Sequence, residues 1–450
     1  MDFKSSSGSR ARVPLRLLAA LSLVSGLAPA ARALEPSPLA GEIDLGAGAV
    51  AGNLIEWRRH LHAHPELSNR EVETARFVAD RLRAMGLAPR TGVARTGVVA
   101  VIDGGRPGPV VALRADLDAL PVAEEVDLPF ASRATGTYEG KTVPVMHACG
   151  HDAHTAILLA TAEVLVALRE KLPGKVVLIF QPAEEGAPLE EGTAGAEQMV
   201  AEGVLDSPRV DVVYGLHVWA GLESGTLGYR AGPALAAVDS FEILVQGRQT
   251  HGAKPWGGVD PVVTASEIVG ALQTIVAREL DITREPAVVS VGQFEAGVRS
   301  NIIPDRARLV GTIRSFDEGM REEIHARVKR IAEGVAAAHG ASARVRIDKG
   351  YPVTANDRAL LARMLPTLER VAPGRTLEMS KLTVAEDFSF FANRVPGVYF
   401  MLGVTPADRV ASAAANHSPR FEIDEGALVT GVRALAHLAA DTLFAAPAAR

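Results

Sequence analysis

Three short polar islands punctuate this chain, each directly after an apolar run that reads as a buried strand. They are HACGHDAH (His147 to His154), QPAEEG (Gln181 to Gly186) and GLHV (Gly215 to Val218). Between them they carry Cys149, His151, the adjacent pair Glu184 and Glu185, and His217. Thiolate, imidazole and carboxylate together suit borderline divalent metals, and a spare carboxylate beside them can handle a proton. Metal-assisted hydrolysis is the chemistry this set predicts. A further candidate ligand, His417, lies far downstream in Asn416-His417-Ser418-Pro419.

The spacings constrain how these groups can meet. Cys149 and His151 are two apart and do not share a helix face. They converge if both sit in the loop before a helix expected from near Ala153, with Gly150 permitting an unusual turn. The plainer alternative is a polar helix start capped by Asp152. Adjacent side chains of an extended segment point apart, so one of Glu184 and Glu185 can bind metal while the other faces water. A solvated acidic turn is the alternative there, although Pro182 and Gly186 bracket the pair as in a fixed loop. His217 is expected at a strand end, parallel to the other two islands. Cys149 is the only cysteine, which rules out an intramolecular disulfide. Its alternative to ligation is burial as a small apolar side chain.

Other polar residues have less determined roles. Asp116, in Arg114-Ala115-Asp116-Leu117-Asp118, can ligate or orient a ligand histidine from behind. His251, in the loop Thr250-His251-Gly252-Ala253-Lys254-Pro255, has no structural necessity there. Asn301 and Arg314 belong to the same later segment. Arg314 suits bidentate pairing with a substrate carboxylate, and a surface salt bridge is its alternative.

The elements that must position these groups read as alternating strands and helices, which implies an α/β layer with a largely parallel sheet. The islands fall at the C-terminal ends of strands, where ligands collect in open α/β sheets. Near Val238 the rhythm changes to β-α-β-β-α-β, the order of a ferredoxin-like sandwich. Alternation resumes at about Leu360. The first domain is therefore expected to be discontinuous, residues 34–237 and 351–450, with residues 238–350 inserted.

A length of 450 residues makes two domains the natural expectation. Net charge is −6 with no sustained basic run past the N-terminus, which argues against nucleic acid as a partner. Residues 1–33 read as a secretory signal peptide. Lys4, Arg10, Arg12 and Arg16 precede a short apolar stretch, and small residues follow it in Ala-x-Ala form. That stretch is too short for a stable membrane anchor, so a secreted or periplasmic protein is expected.

With these motifs in place, the chain resembles M20 metallopeptidases of the amidohydrolase branch, which includes hippurate hydrolases, N-acyl-amino-acid amidohydrolases and auxin-conjugate hydrolases. The matching segments run from RRHLHAHPELS (Arg58 to Ser68) through LRADLDALP, MHACGHDAH, QPAEEG, YGLHVW, GRQTHGAKPW, RSNIIPD, GTIRSFD and AEDFSFF to NHSP. The resemblance implies an α/β, zinc-peptidase-like catalytic domain with an inserted ferredoxin-like α+β lid that also forms a homodimer. It implies two divalent cations (zinc or manganese, with cobalt or nickel also compatible) held by Cys149, His151, Glu185, His217 and His417. Glu184 would be the general base, His251 would stabilise the oxyanion from the partner subunit, and Asn301 and Arg314 would hold a substrate carboxylate. The expected reaction on this small-molecule substrate is hydrolysis of an N-acyl amino acid. The rival reading is a carboxypeptidase or aminopeptidase of short peptides. Many members of the wider superfamily carry a His-x-Asp motif where this chain has Arg114-Ala115-Asp116, so no histidine ligand is expected there.

Overall fold

The computed structural model describes residues 33–187 and 191–445. The expected signal peptide, save Ala33, lies outside the described residues.

Eight strands form the larger, mixed sheet, in the order Arg90–Val93, Gly97–Asp103, Pro173–Gln181, Arg106–Asp116, Val212–Glu223, Gly397–Thr405, Leu227–Tyr229 and Thr376–Glu378. Its centre is parallel: Arg106–Asp116 pairs with Pro173–Gln181 on one side and Val212–Glu223 on the other, and Gly397–Thr405 extends the run. Strands buried on both faces read as continuous apolar runs, and this is how Gly397–Thr405 is built. One face carries the helices Ala51–Ala63, His151–Ala167 and Leu428–Phe444 over Val111, Leu113 and Ala115. The other packs Met199, Phe388 and Phe391 against Ala112 and Val213. The period-2 alternation of a strand places Arg114 on the same side as Ala112, under the second layer.

A separate antiparallel sheet has the order Ala287–Ala296, Arg306–Ser315, Ala237–Gln246, Ser342–Lys349, covered by the helices Pro261–Thr274 and Glu318–Ala338. It has its own core, in which Phe241, Ile268, Leu309 and Ile324 are fully or almost fully buried. The chain enters and leaves this unit at one place. Val238 N–H donates to Tyr351 O at 3.0 Å, and Gly350 N–H to Val238 O at 3.0 Å. Beside this crossing, Arg321 and His325 close on the buried Asp239 carboxylate, His325 Nε2 at 2.6 Å and Arg321 Nε at 2.9 Å.

Two expectations change in ways that matter for the site. The helix expected from near Ala153 starts at His151, so that histidine is its first residue rather than a loop residue. The strand containing His217 does not end before it but continues to Glu223, because Gly397–Thr405 pairs with it along that length.

Candidate active site

Gly150 fixes the approach of Cys149 to His151. Its φ of +99° lies in the left-handed region, and a Cβ there would stand 2.3 Å from Val218 Cγ2. Only glycine fits both demands. The turn leaves one donor atom each of Cys149, His151 and His217 within 4.8 Å of one another. Cys149 Sγ is 3.3 Å from His217 Nε2 and 3.3 Å from His417 Nε2. His417 is itself in the left-handed region, at φ +71°. Its loop is held by Asn416, whose amide donates to Cys149 O at 3.0 Å and Val218 O at 3.1 Å. Asp152 is not a cap. It forms an ion pair with Arg58, whose Nε is 3.0 Å away, and accepts from His62 Nδ1 at 2.8 Å, which pins the start of the helix from behind.

The histidines divide by what their second nitrogen does. His217 Nδ1 donates to Val218 O at 2.7 Å, which leaves the Nε2 lone pair directed at Cys149. His151 Nδ1 is held by Asp118 Oδ1 at 3.2 Å, and its buried Nε2 has no hydrogen-bond partner. That nitrogen faces Glu184 Oε2 at 3.8 Å and Glu185 Oε1 at 3.9 Å. A carboxylate or carbonyl behind the ring is the usual bracing of a metal-binding imidazole. His154 differs: Nδ1 bonds Asp116 Oδ1 at 2.6 Å, and Nε2 accepts Val218 N–H at 2.8 Å. Both its nitrogens are satisfied, so it braces the site rather than facing it. Asp116 thus orients His154, and Asp118 makes the shorter contact to His151.

Backbone contacts split the Glu184–Glu185 pair. Their N–H groups donate to Asp118 Oδ1 and Oδ2 at 3.1 and 3.0 Å. Ala183, at φ +52°, donates its N–H to Glu71 Oε1 at 2.8 Å, and Tyr351 donates its hydroxyl to Glu184 O at 2.7 Å. From this fixed loop both carboxylates face His151 Nε2, and they differ in their other neighbours. Glu185 Oε1 reaches His417 Nε2 at 3.1 Å yet forms no hydrogen bond. Glu184 turns towards His151 and shares a cluster with Glu386 and Asp387.

Arg114 is the counter-charge under that cluster. Its side chain is fully buried, and it meets Asp116 Oδ2 at 2.7 Å, Glu386 Oε1 at 2.9 Å, Asp387 Oδ1 at 3.0 Å, Gln181 Oε1 at 2.8 Å and Tyr399 Oη at 3.2 Å. One guanidinium does not neutralise so many buried carboxylates. Burial, with the charges of Glu386 and Glu185, holds the Glu184 carboxyl well above its usual range. Burial and the Glu185 and Glu184 carboxylates likewise push the Cys149 thiol well up. Burial alone would lower His151, but Asp116 and Asp118 outweigh it and raise that imidazole to about 10. His217 is held well below its ordinary value by burial and by His154. A buried pocket rich in carboxylates and a thiol is short of positive charge, and bound divalent cations would oppose the upward shifts of Glu184, Cys149 and His151 and keep His217 neutral. The donor set and the orphaned His151 Nε2 and Glu185 Oε1 therefore fit a metal centre.

The structure does not bring every expected residue to this point. His251 is exposed on the smaller unit, in a two-residue strand paired with Ile302–Ile303. Its Nδ1 accepts Ala253 N–H at 2.9 Å, which leaves Nε2 as the protonated, outward nitrogen. Asn301 is exposed nearby, and the half-buried Arg314 side chain has no ion pair among the described residues. Sequence reasoning assigned no role to Asp118, Glu71, Tyr351, Glu386, Asp387 or the guanidinium of Arg114. The available signal was charge inside otherwise apolar surroundings, as at Arg114 within Val110–Ala115.

Comparison with known proteins agrees with this geometry. The model of peptidase family M20/M25/M40 matches residues 112–441. The chain is 45% identical over 302 residues to the N-acyl-L-amino acid amidohydrolase of Geobacillus stearothermophilus, covering 67% of this chain and 77% of that one. It is 39% identical over 386 residues to thermostable carboxypeptidase 1 of Saccharolobus solfataricus, covering 85% and 93%. Among solved structures, the Bacillus subtilis YXEP protein, described as a dinuclear metal-binding peptidase of the M20 family, superposes with a TM-score of 0.73 at 35% identity, covering 88% of this chain and 99% of that one. On this fold, this constellation and these relatives, the chain belongs to peptidase family M20/M25/M40 and is a hydrolase of amide or peptide bonds.

Proposed function

We propose that the protein hydrolyses the amide of N-acyl amino acids, with Glu184 as general base. The observation that carries this reading is the different company of two adjacent carboxylates that both face His151: Glu185 clusters with Cys149 and His417, whereas Glu184 clusters with Glu386 and Asp387. Cys149, His151, Glu185, His217 and His417 would hold two divalent cations, as the YXEP relative's description suggests. When bound, such cations acidify water and polarise the scissile carbonyl. Glu184 takes a proton from the attacking water at its carboxylate and delivers it to the departing amine nitrogen. The loop contacts to Asp118, Glu71 and Tyr351 fix its direction.

The acyl side is favoured by a cleft of about 230 Å3 that opens beside Glu185, lined by Leu67, Ala119, Leu120, Pro121 and Tyr138. Of its polar members, Ser68 and Arg70 are engaged within the protein, and Thr137 and the Glu185 carboxylate also line it. The Ser68 hydroxyl donates to Asp118 at 2.7 Å, and Arg70 pairs with Glu191. The apolar part of this wall suits an uncharged acyl group, with the Glu185 carboxylate taken up by the cation it would hold. The volume is below the roughly 300 Å3 at which whole drug-sized ligands fit, so it accommodates one part of a substrate. Arg314 and Asn301 would hold the substrate carboxylate. The His251 Nε2–H would serve the oxyanion of a partner subunit, in a dimer built through the smaller unit (residues 238–350) and not through the catalytic unit (34–237 with 351–450).

The identity to carboxypeptidases keeps peptide hydrolysis as the second reading. Metal-reconstituted enzyme assayed on hippurate-type, N-acetyl and dipeptide substrates decides between them, and faster dipeptide cleavage would reject the N-acyl assignment. Glu184→Gln is expected to bind metal and substrate while losing at least about a hundred-fold in turnover. Wild-type turnover in that variant would remove Glu184 as the base.

A further inference from the structure

The two chain crossings between the sheets place one side chain in the catalytic loop. Tyr351 is the first residue after Gly350, and its carbonyl accepts Val238 N–H at 3.0 Å. The crossing is laced from the smaller unit. Gly350 N–H also lies 3.1 Å from Asp239 Oδ1, and Arg321 Nη2 donates to Gly350 O at 3.1 Å. The Tyr351 backbone therefore moves with the junction. Its ring packs edge-on against Phe390, with centroids 6.1 Å apart, and its hydroxyl donates to Glu184 O at 2.7 Å. A Cβ on Gly186 would come 3.8 Å from that hydroxyl, so the phenol lies beside Gly186 as well as Glu184.

We infer that Tyr351 is a positioning residue for Glu184: a phenol delivered from the junction between the two units that fixes the Glu184 peptide plane and so the direction of its carboxylate. This rests on the reading of Glu184 as general base. The hydroxyl touches neither carboxylate oxygen. It acts on the carbonyl, while Asp118 holds the N–H of the same residue at 3.1 Å. Glu184 is thereby clamped on both of its backbone polar groups, one from within the larger unit and one from the junction. Any rotation of the smaller unit about its two crossings carries the hydroxyl with it, and the orientation of the base becomes sensitive to where that unit sits.

The test is Tyr351→Phe in the full chain reconstituted with metal. One hydrogen bond at this position corresponds to about a ten-fold fall in kcat. KM, metal content by elemental analysis and thermal midpoint are expected to stay as in the wild type. A merely structural tyrosine would instead lower the thermal midpoint or the metal content together with activity, and that pattern overturns the inference, as does an unchanged kcat. Glu184→Gln assayed alongside separates the two ideas. An inactive Glu184→Gln with a fully active Tyr351→Phe rejects the positioning role and leaves the base in place. An active Glu184→Gln removes the base assignment, and the positioning role falls with it.

Discussion

Asp118→Asn is the sharpest probe of how the centre is built. The Asp118 side chain is almost fully buried and all of its oxygen capacity is used: Oδ1 meets His151 Nδ1 at 3.2 Å and Glu184 N–H at 3.1 Å, and Oδ2 meets Glu185 N–H at 3.0 Å and the Ser68 hydroxyl at 2.7 Å. Asparagine has the same shape but one oxygen. If its NH2 replaces Oδ1 it opposes two donors, His151 and Glu184. If it replaces Oδ2 it opposes one, Glu185, because the serine hydroxyl can turn and accept. The second orientation is the better, and it still leaves one buried donor unpaired, at about 1–3 kcal/mol. The carboxylate charge behind His151 is lost as well, and removal of such a brace costs about 10–100-fold in metal affinity or activity. The two figures agree, since a factor of ten is about 1.4 kcal/mol. Equilibrium dialysis of metal-free protein against zinc or manganese, followed by elemental analysis, gives the affinity, and kcat/KM is measured at saturating metal. Metal affinity and turnover equal to wild type would refute the view that Asp118 organises His151 and the Glu184–Glu185 loop.

Two further outcomes follow from groups on the smaller unit. Burial opposes the charge of Asp239, but Arg321 and His325 outweigh it and hold the carboxyl down at about 2, against an ordinary 3.8. A carboxyl lowered by folding stabilises the folded state above its unfolded value, and that stabilisation drains away as pH falls from about 4 to about 2. Thermal midpoints measured across that window should drop for the wild type and change less for Asp239→Asn, and parallel curves would discount the ion pair. If His251 serves a partner's site, mixing Glu184→Gln and His251→Ala chains restores activity. Random pairing makes half the dimers hybrid with one intact site of two, so recovery approaches about a quarter of wild type. No recovery above either parent would reject the role of His251 in a partner's site.

The candidate ligands were legible because their neighbours constrain them. Gly150 between Cys149 and His151 reports a turn that only glycine makes, and Glu184 next to Glu185 after an apolar strand reports a buried charge in need of a partner. The β-α-β-β-α-β order likewise gave the smaller sheet. The supports were not legible, because each is a lone polar residue whose meaning is set by distant chain. Arg114 is tolerable in the core only when Gln181, Glu386, Asp387 and Tyr399 converge on it, and nothing local to Val110–Ala115 says so. Asp118 and Glu71 read as surface acids until the 183–185 backbone lies against them. The His217 strand was underestimated for a related reason. Its length past His217 is dictated by pairing with a strand almost two hundred residues later, which local periodicity does not contain.

The meeting of the two crossings at Val238 and Tyr351 bears on how such a split unit can fold at all. Cys149 and His417 are 268 positions apart, and joining them through flexible chain would carry the closure entropy of that whole length. The inserted segment has its own buried core and brings its ends together at a 3.0 Å hydrogen bond. Once it has collapsed, the returning strand, helix and His417 loop begin beside the sheet they must complete. The insert then acts as a short tether, and the chain between Cys149 and His417 is effectively shorter by the whole length of that unit.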